Sequence, residues 1–393
     1  MRSFHLSPVA AKLIALLLGL SVPATVQALD IHIGYIQWVP EEGPVLSNII
    51  PEPGDGGRRG AELGVADNNT TGRFLDQNYK LTSVTAGSAQ EAEQALATMR
   101  DRGVELFVLN VPADTLNNMA QTTDSNALLF NAAAKEDRLR TQECSPHVLH
   151  TMASYSMLTD ALSQWLNKRR WQDVFLITGP TDQDKQWAEG FRRASKRFNI
   201  DIVAEKPWTF DGDLRRTASS ELPLFTQGPD YDAVVVADVR GDFGEYVPFN
   251  TWLPRPVIGT QGLTPVTWHR VVEAWGAAQL QSRFRDLADR GMNDLDYAAW
   301  IAVRSIGEAV TRDNSTSPEG VRSYLLSDAF QLDGFKGRKL SYRNWNGQLR
   351  QPIPLVQPRA LVAQPPFEAF LHPRTDLDTL GYDRPESKCR ISG

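Results

Sequence analysis

The sequence predicts an α/β protein of two lobes, each a parallel sheet flanked by helices, with a cleft between the lobes. Three observations lead there. Strand-like and helix-like patterns alternate along the chain, which implies parallel strands covered on both faces. The alternation restarts once near the middle. The 393 residues are too many for one small core and suit two lobes of ordinary size.

The elements follow in order. Ile31-His32-Ile33-Gly34-Tyr35-Ile36 reads as a first strand. A loop rich in Pro and Gly runs from Trp38 to Gly57, then a helix from about Arg58 to Asn68 carrying Ala61, Leu63 and Val65. Tyr79 to Thr85 alternates as a second strand. Ser88 followed by Glu91 is a capping-box signature, and Ala92, Ala95, Leu96 and Met99 then recur at helical spacing. Val104 to Leu109 and Ala127 to Phe130 are apolar strands.

The pattern then restarts. A helix is predicted from Tyr155 to Arg169, a strand at Val174–Ile177, a helix from Gln186 to Phe198 and a strand at Ile200–Ala204. Ala233–Val236 and Pro256–Gly259 read as further buried strands. Two long helices are expected at Val266–Arg290 and Leu295–Arg312. A hairpin should pair Lys339–Arg343 with Ile353–Val356 around the turn Asn346-Gly347.

Composition narrows the function. The net charge of −6 argues against a nucleic-acid partner, because phosphate binding needs a concentrated basic face. The pairs Arg58-Arg59, Arg169-Arg170, Arg192-Arg193 and Arg215-Arg216 are scattered and read as solvated faces. Arg2 and Lys12, the apolar run Leu13–Leu20 and the small residues Val26-Gln27-Ala28 form a signal peptide, expected to be cut after Ala28. No Cys follows the cut, so a lipid anchor is not expected, and a periplasmic location is. The chain has two cysteines. In an exported chain an isolated pair predicts a Cys144–Cys389 disulfide rather than two free thiols.

No His-Glu-x-x-His, Gly-x-Ser-x-Gly or Walker motif occurs, and His147, His150, His269 and His372 are dispersed, so neither an enzyme nor a metal or cofactor is expected. The run Gly54–Gly60 lacks dinucleotide-fingerprint spacing and reads as a flexible rim loop.

Several stretches carry a resemblance. Ile31–Gly34, GRRGAELGVADNN at Gly57–Asn69, the helix Ala89–Arg102 with Gly103–Leu106, and Trp165–Thr178 resemble the type I periplasmic-binding-protein fold, in its branched-chain amino-acid-binding branch. The resemblance implies lobes of 29–146 plus 265–330 and 147–264 plus 331–393, joined by three crossings with ligand between them. It implies a monomeric solute-binding protein that delivers a small molecule to the permease of an ABC transporter. A ligand sensor of the same fold is the alternative. Trp268–Phe284, Asp296–Ala309 and Phe370–Cys389 resemble a narrower subgroup, the binding proteins associated with PQQ-dependent alcohol dehydrogenase systems. An accessory role in such a system is a further alternative.

Ligands in such folds bind at the carboxyl ends of strands. That rule selects Gln37 and Trp38, Asn110, Asn131 and Ala133 in the first lobe. It selects Gln183, Asp184, Asp238, Arg240 and Gln261 in the second. Trp38 either stacks on an apolar ligand or packs against its own loop. Asp238 and Arg240 either bind a polar group or pair with each other. Trp187 and Trp275 read as helix-packing residues. The family's Ser/Thr-rich loop and Tyr-Gly pair are replaced here by Asn131–Lys135 and Gln183-Asp184. A ligand lacking a zwitterionic amino-acid head is therefore expected, such as an alcohol-derived or aromatic compound.

Overall fold

The structure is a computed structural model that describes residues 29–41, 52–123, 126–209 and 214–391. The predicted signal peptide lies outside the described residues. In the first half, β1 (Leu29–Gln37), α1 (Arg58–Gly72), β2 (Gln77–Thr85), α2 (Ala89–Asp101), β3 (Leu106–Asn110), α3 (Ala113–Thr122), β4 (Leu128–Asn131), α4 (Arg138–Thr141) and β5 (Val148–His150) follow one another. Their strands form a parallel sheet in the order β2-β1-β3-β4-β5. The chain continues through α5 (Tyr155–Arg169), β6 (Asp173–Thr178), α6 (Asp182–Arg197), β7 (Asp201–Pro207), α7 (Leu214–Phe225), β8 (Ala233–Ala237) and β9 (Val257–Gly259). These strands form a second parallel sheet, β7-β6-β8-β9.

The period of two along each strand decides which layer a side chain joins. In β6, Val174 and Leu176 enter the core shared with α5 and α6, while Phe175 and Ile177 enter the one shared with α7. β8 does the same with Val235 on one side and Val234 and Val236 on the other. In β1, Ile31, Ile33 and Tyr35 face the large core, and Ile36 faces the smaller one under α2 and α3.

The large core of lobe one draws on distant sequence. After β10 (Thr264–Pro265) come α8 (Ala277–Ala288), α9 (Asp294–Asp313) and α10 (Pro318–Leu325), which supply much of it. α1 and α9 meet backbone to backbone. A Cβ on Gly60 would stand 1.9 Å from the Asp296 carbonyl oxygen, so only glycine fits there. Asn68 donates to the Val303 carbonyl at 2.8 Å in the same contact.

Several expectations need correction. Residues 266–276 are irregular chain; Trp275 and Gly276 adopt φ values of 55° and 84°, which no helix tolerates. Trp275 is exposed outside any helix, while Trp187 is buried and stacks on Phe191 at 5.9 Å. The Ser88 hydroxyl accepts from the Glu91 N–H, but the Glu91 carboxylate accepts from Gly87, one residue earlier than a capping box requires. The turn at Asn346-Gly347 is present, with φ of 70° at Gly347. However, β12 (Lys339–Tyr342) pairs there with β13 (Leu349–Arg350), and on its other side with the short β11 (Leu332–Asp333). β14 (Leu355–Gln357) pairs instead with β10 and β15 (Ala360–Ala363). Val148–His150 extends the first sheet, and Leu332, Leu340 and Leu349 join its large core. Cys144 and Cys389 form a disulfide with Cα atoms 5.6 Å apart.

Three segments cross between the lobes, near Thr151, Val266 and Pro352. Val266 N–H donates to the Pro354 carbonyl at 3.0 Å, and Gln351 Nε2 donates to the Thr151 carbonyl at 2.9 Å. The fully buried Lys336 ammonium ties them further. Its Nζ donates to the Thr267 carbonyl (2.5 Å), Gln351 Oε1 (2.6 Å) and the Pro352 carbonyl (3.2 Å), and lies 4.5 Å over the Tyr297 ring. Burial pushes its pKa down to about 7, whereas three acceptors match the three N–H bonds of the charged form. Lys336→Met should leave these acceptors unpaired in the core and cost about 2–4 kcal/mol. Chemical denaturation of wild type and variant measures this; an unchanged midpoint would show that the crossings hold without the ammonium.

Candidate functional site

The site is built where strands of both sheets end. In lobe one, Gln37 and Asn110 stand opposite each other in register at the ends of β1 and β3. Both are buried, and both carboxamides are engaged. Gln37 Nε2 donates to the Gly54 carbonyl at 3.1 Å, and Asn110 Nδ2 donates to the Gly56 carbonyl at 3.1 Å. The Tyr35 hydroxyl donates to that same carbonyl at 3.1 Å and accepts from Asn110 Nδ2 at 3.2 Å. Burial drives the Tyr35 pKa far above the usual phenol range, so it stays a donor.

The glycine-rich rim is thus anchored rather than free. Gly57 N–H donates to Asp296 Oδ1 at 2.9 Å, and Arg290 pairs with both Asp296 (2.6 Å) and Asp55 (3.0 Å). Asp296 also closes a reciprocal cap with Asn293 at the start of α9. One buried carboxylate therefore fixes the rim and the α9 N-terminus together.

Asn131 shapes its own loop. Its Oδ1 accepts from Ala133 N–H (3.2 Å) and Ala134 N–H (2.9 Å), and its Nδ2 donates to the Ala134 carbonyl (2.9 Å) and lies 3.0 Å from His150 Nδ1. Burial holds His150 neutral by lowering its pKa well below the ordinary value. No bonding capacity of Asn131 remains for a ligand. Ala133 is half-buried on the loop. Trp38 is half-buried too, and packs against the core under α2 and α3.

Lobe two repeats this economy. Asp184 is buried, forms a capping box with Thr181, and accepts from the Val239 N–H at 2.7 Å. Its pKa is raised by burial. Asp238 accepts from four backbone N–H groups: Gly241 (3.0 Å), Asp242 (2.9 Å), Phe243 (2.8 Å) and Gly244 (2.6 Å). Arg240 meets Asp242 at 3.1 Å. Gln183 is exposed on the first turn of α6. Gln261 is half-buried against Gly244, where an added Cβ would come within 2.5 Å of its Cγ.

Gln37, Asn110, Asn131, Asp184 and Asp238 all act as loop anchors, bonded to the protein's own backbone. Two groups there were not singled out. Lys135 pairs with Asp294 at 3.1 Å beside the crossing near Trp268. Tyr155 is buried at the start of α5, and its pKa is raised by burial first, then by Glu136 of lobe one and Asp184 of lobe two. Its place at the opening of the second lobe was the available signal. Among the described residues, no group of three or more His, Cys, Asp or Glu could hold a metal ion, and no helix is long and apolar enough to cross a membrane.

Replacing Asp238 by Ala should strand four buried N–H groups and lower stability by about 3 kcal/mol. Thermal unfolding of the ligand-free protein checks this. An unchanged melting temperature would return Asp238 to the list of candidate ligand contacts.

Comparison with known proteins fits this architecture. No curated protein sequence matches the chain. Among solved structures, a branched-chain amino-acid ABC-transporter periplasmic ligand-binding protein from Burkholderia xenovorans superposes with a TM-score of 0.70 at 17% identity, covering 92% of this chain and 99% of that one. A leucine-, isoleucine-, valine-, threonine- and alanine-binding protein from Brucella ovis, in a closed conformation, gives 0.69 at 11% identity over 84% and 89%. A solute-binding protein of an ABC transporter from R. palustris, solved with benzoate, gives 0.62 at 13% identity over 86% and 98%. These likenesses show the type I periplasmic-binding-protein fold. The family model described as periplasmic binding protein matches residues 38–241, just over half of the sequence, and the chain belongs to that family.

Proposed function

We propose that this chain is an extracytoplasmic solute-binding protein that captures a small molecule between its lobes and delivers it to an ABC-transporter permease. The observation that carries the reading is the pair of parallel sheets joined through three pinned crossings, with loop-bearing strand ends on both sheets available as walls. Such a frame suits a hinge. A ligand closes it only by binding the closed state better than the open one.

The ligand follows from what remains after the anchors are subtracted. Buried carboxylates and carboxamides at the strand ends are spent on the protein's own backbone. Trp38, Ala133 and Gln261, with Tyr155, are left as candidate contacts, while Lys135 and Arg240 are ion-paired with Asp294 and Asp242. That set offers aromatic faces and no acidic grip for an α-ammonium. It favours an aromatic or alcohol-derived compound. The solved relative with bound benzoate is consistent with this class. The stretches Trp268–Phe284 and Phe370–Cys389 suggest an association with PQQ-dependent alcohol oxidation. Export with loss of residues 1–28, and a monomeric state, belong to the same reading.

A thermal-shift screen of the mature protein against benzoates, alcohols, aldehydes, aliphatic acids, amino acids and PQQ tests it. A true ligand at a hundred times its Kd adds about 2.7 kcal/mol of stability. It should also shrink the radius in solution scattering. Stabilisation by leucine or valine alone would overturn the ligand class; stabilisation without compaction would overturn the hinge. Trp38→Ala should weaken an aromatic ligand by about 1–3 kcal/mol. An equal loss of ligand-free stability, with unchanged affinity, would make Trp38 a packing residue.

A further inference from the structure

The three crossings do not account for every tie between the lobes. After β15 the tail lies between the lobes: Leu380 joins the lobe-two core, while Arg343 of the lobe-one hairpin donates to the Leu380 carbonyl at 2.6 Å and pairs with Asp378 at 2.8 Å. Gly381 N–H donates to Asp160 Oδ2 at 2.7 Å, and its carbonyl accepts from Arg193 (3.1 Å) and Arg197 (3.0 Å) of α6. Glu386 then pairs with Arg193 at 3.0 Å. The next residue changes sides. Ser387 Oγ donates to the Arg140 carbonyl at 2.8 Å, and Lys388 N–H donates to the Thr141 carbonyl at 2.9 Å, both on α4 of lobe one. Cys389 is bonded to Cys144, and the Ile391 carbonyl accepts from Arg322 of α10.

We propose that this tail is a covalently secured strap, a fourth tie that limits how far the lobes swing apart. The three crossings are continuous chain at the hinge, where modest backbone rotations are enough to turn one lobe against the other. The strap differs because it is fixed to the bodies of both lobes, to lobe two through Asp160 and to lobe one through Arg343, Ser387, Lys388 and Cys389. Wide opening must release one of these anchors. On lobe two the anchor is a buried carboxylate, Asp160, held by two arginines, which is costly to pull apart. On lobe one the hydrogen bonds of Ser387, Lys388 and Ile391 are backed by the disulfide, which thermal motion does not break. With the bridge present, the range of opening is set by the strap. Without it, the lobe-one end rests on hydrogen bonds and yields first. The proposal depends on the two-lobed frame and not on any ligand, so it stands or falls separately from the transport reading.

The test uses ligand-free full-length mature protein in two preparations, the Cys144→Ser/Cys389→Ser variant and folded wild type reduced with dithiothreitol. Small-angle scattering reads the radius of gyration, hydrogen exchange reads the amides of Lys388 and Ile391, and far-UV circular dichroism reads the fold. Loss of the bridge should increase the radius and speed exchange at both amides with the helical signal intact, and reoxidation should restore the smaller radius. Should the variant fail to fold, reduced wild type gives the same readings. A radius equal to that of the oxidised protein overturns the proposal. So does an increase accompanied by loss of helical signal, since the bridge would then hold the fold together instead of limiting its opening.

Discussion

A single buried ammonium organises the junction on which both lobes depend. Lys336 is buried, and among the described residues no carboxylate is in hydrogen-bond contact with it; its charge is met by carbonyl and carboxamide oxygens from two crossings and by the face of Tyr297. Gln351 relays the tie to the third crossing through Thr151. Neutral acceptors suit such a place. An ion pair would add desolvation cost for a second charge. Backbone oxygens are already positioned by the chain they belong to, so little order is lost in using them. The result is a compact pivot in which three N–H bonds hold two crossings and the Gln351 carboxamide holds the third.

Carboxylates do comparable service away from the pivot. Asp296 joins the rim at Gly57 to the start of α9, Asp238 gathers the turn that leaves β8, and Asp184 pins that turn to α6. Each replaces water for several backbone N–H groups at once, which is how a loop without secondary structure satisfies its donors. The loops at the strand ends thereby become part of the rigid scaffold.

Much of this frame was legible in the sequence. Runs such as Ala233–Val236 and Val104–Leu109 are apolar on both faces, and only parallel strands inside an α/β layer need that. The helix Tyr155–Arg169 came out at its observed limits. α7 was missed because Pro223 interrupts it and serines dilute its stripe. The 266–276 segment was misread because Trp268 and Val272 are buried as irregular chain and imitate helical spacing. For the candidate residues, the place along the chain was legible and the bonding was not. Strand ends can be located from periodicity, but whether an Asp there faces a ligand or its own backbone depends on the turn that follows. Asp238 is decided by Gly241 at φ 79°, a conformation that no local pattern announces.

The contact between α1 and α9 has a consequence for how the chain is made. Gly60 and Asn68 close against Asp296 and Val303, partners more than two hundred positions further along. During synthesis the first lobe therefore emerges without the helices that complete its core, whereas the second sheet, β6 to β9, is contiguous and finishes earlier. Contacts of such long sequence separation form slowly. A chain arranged this way stays incompletely folded until most of it has left the ribosome, the state in which a translocation channel that threads unfolded polypeptide can still accept it.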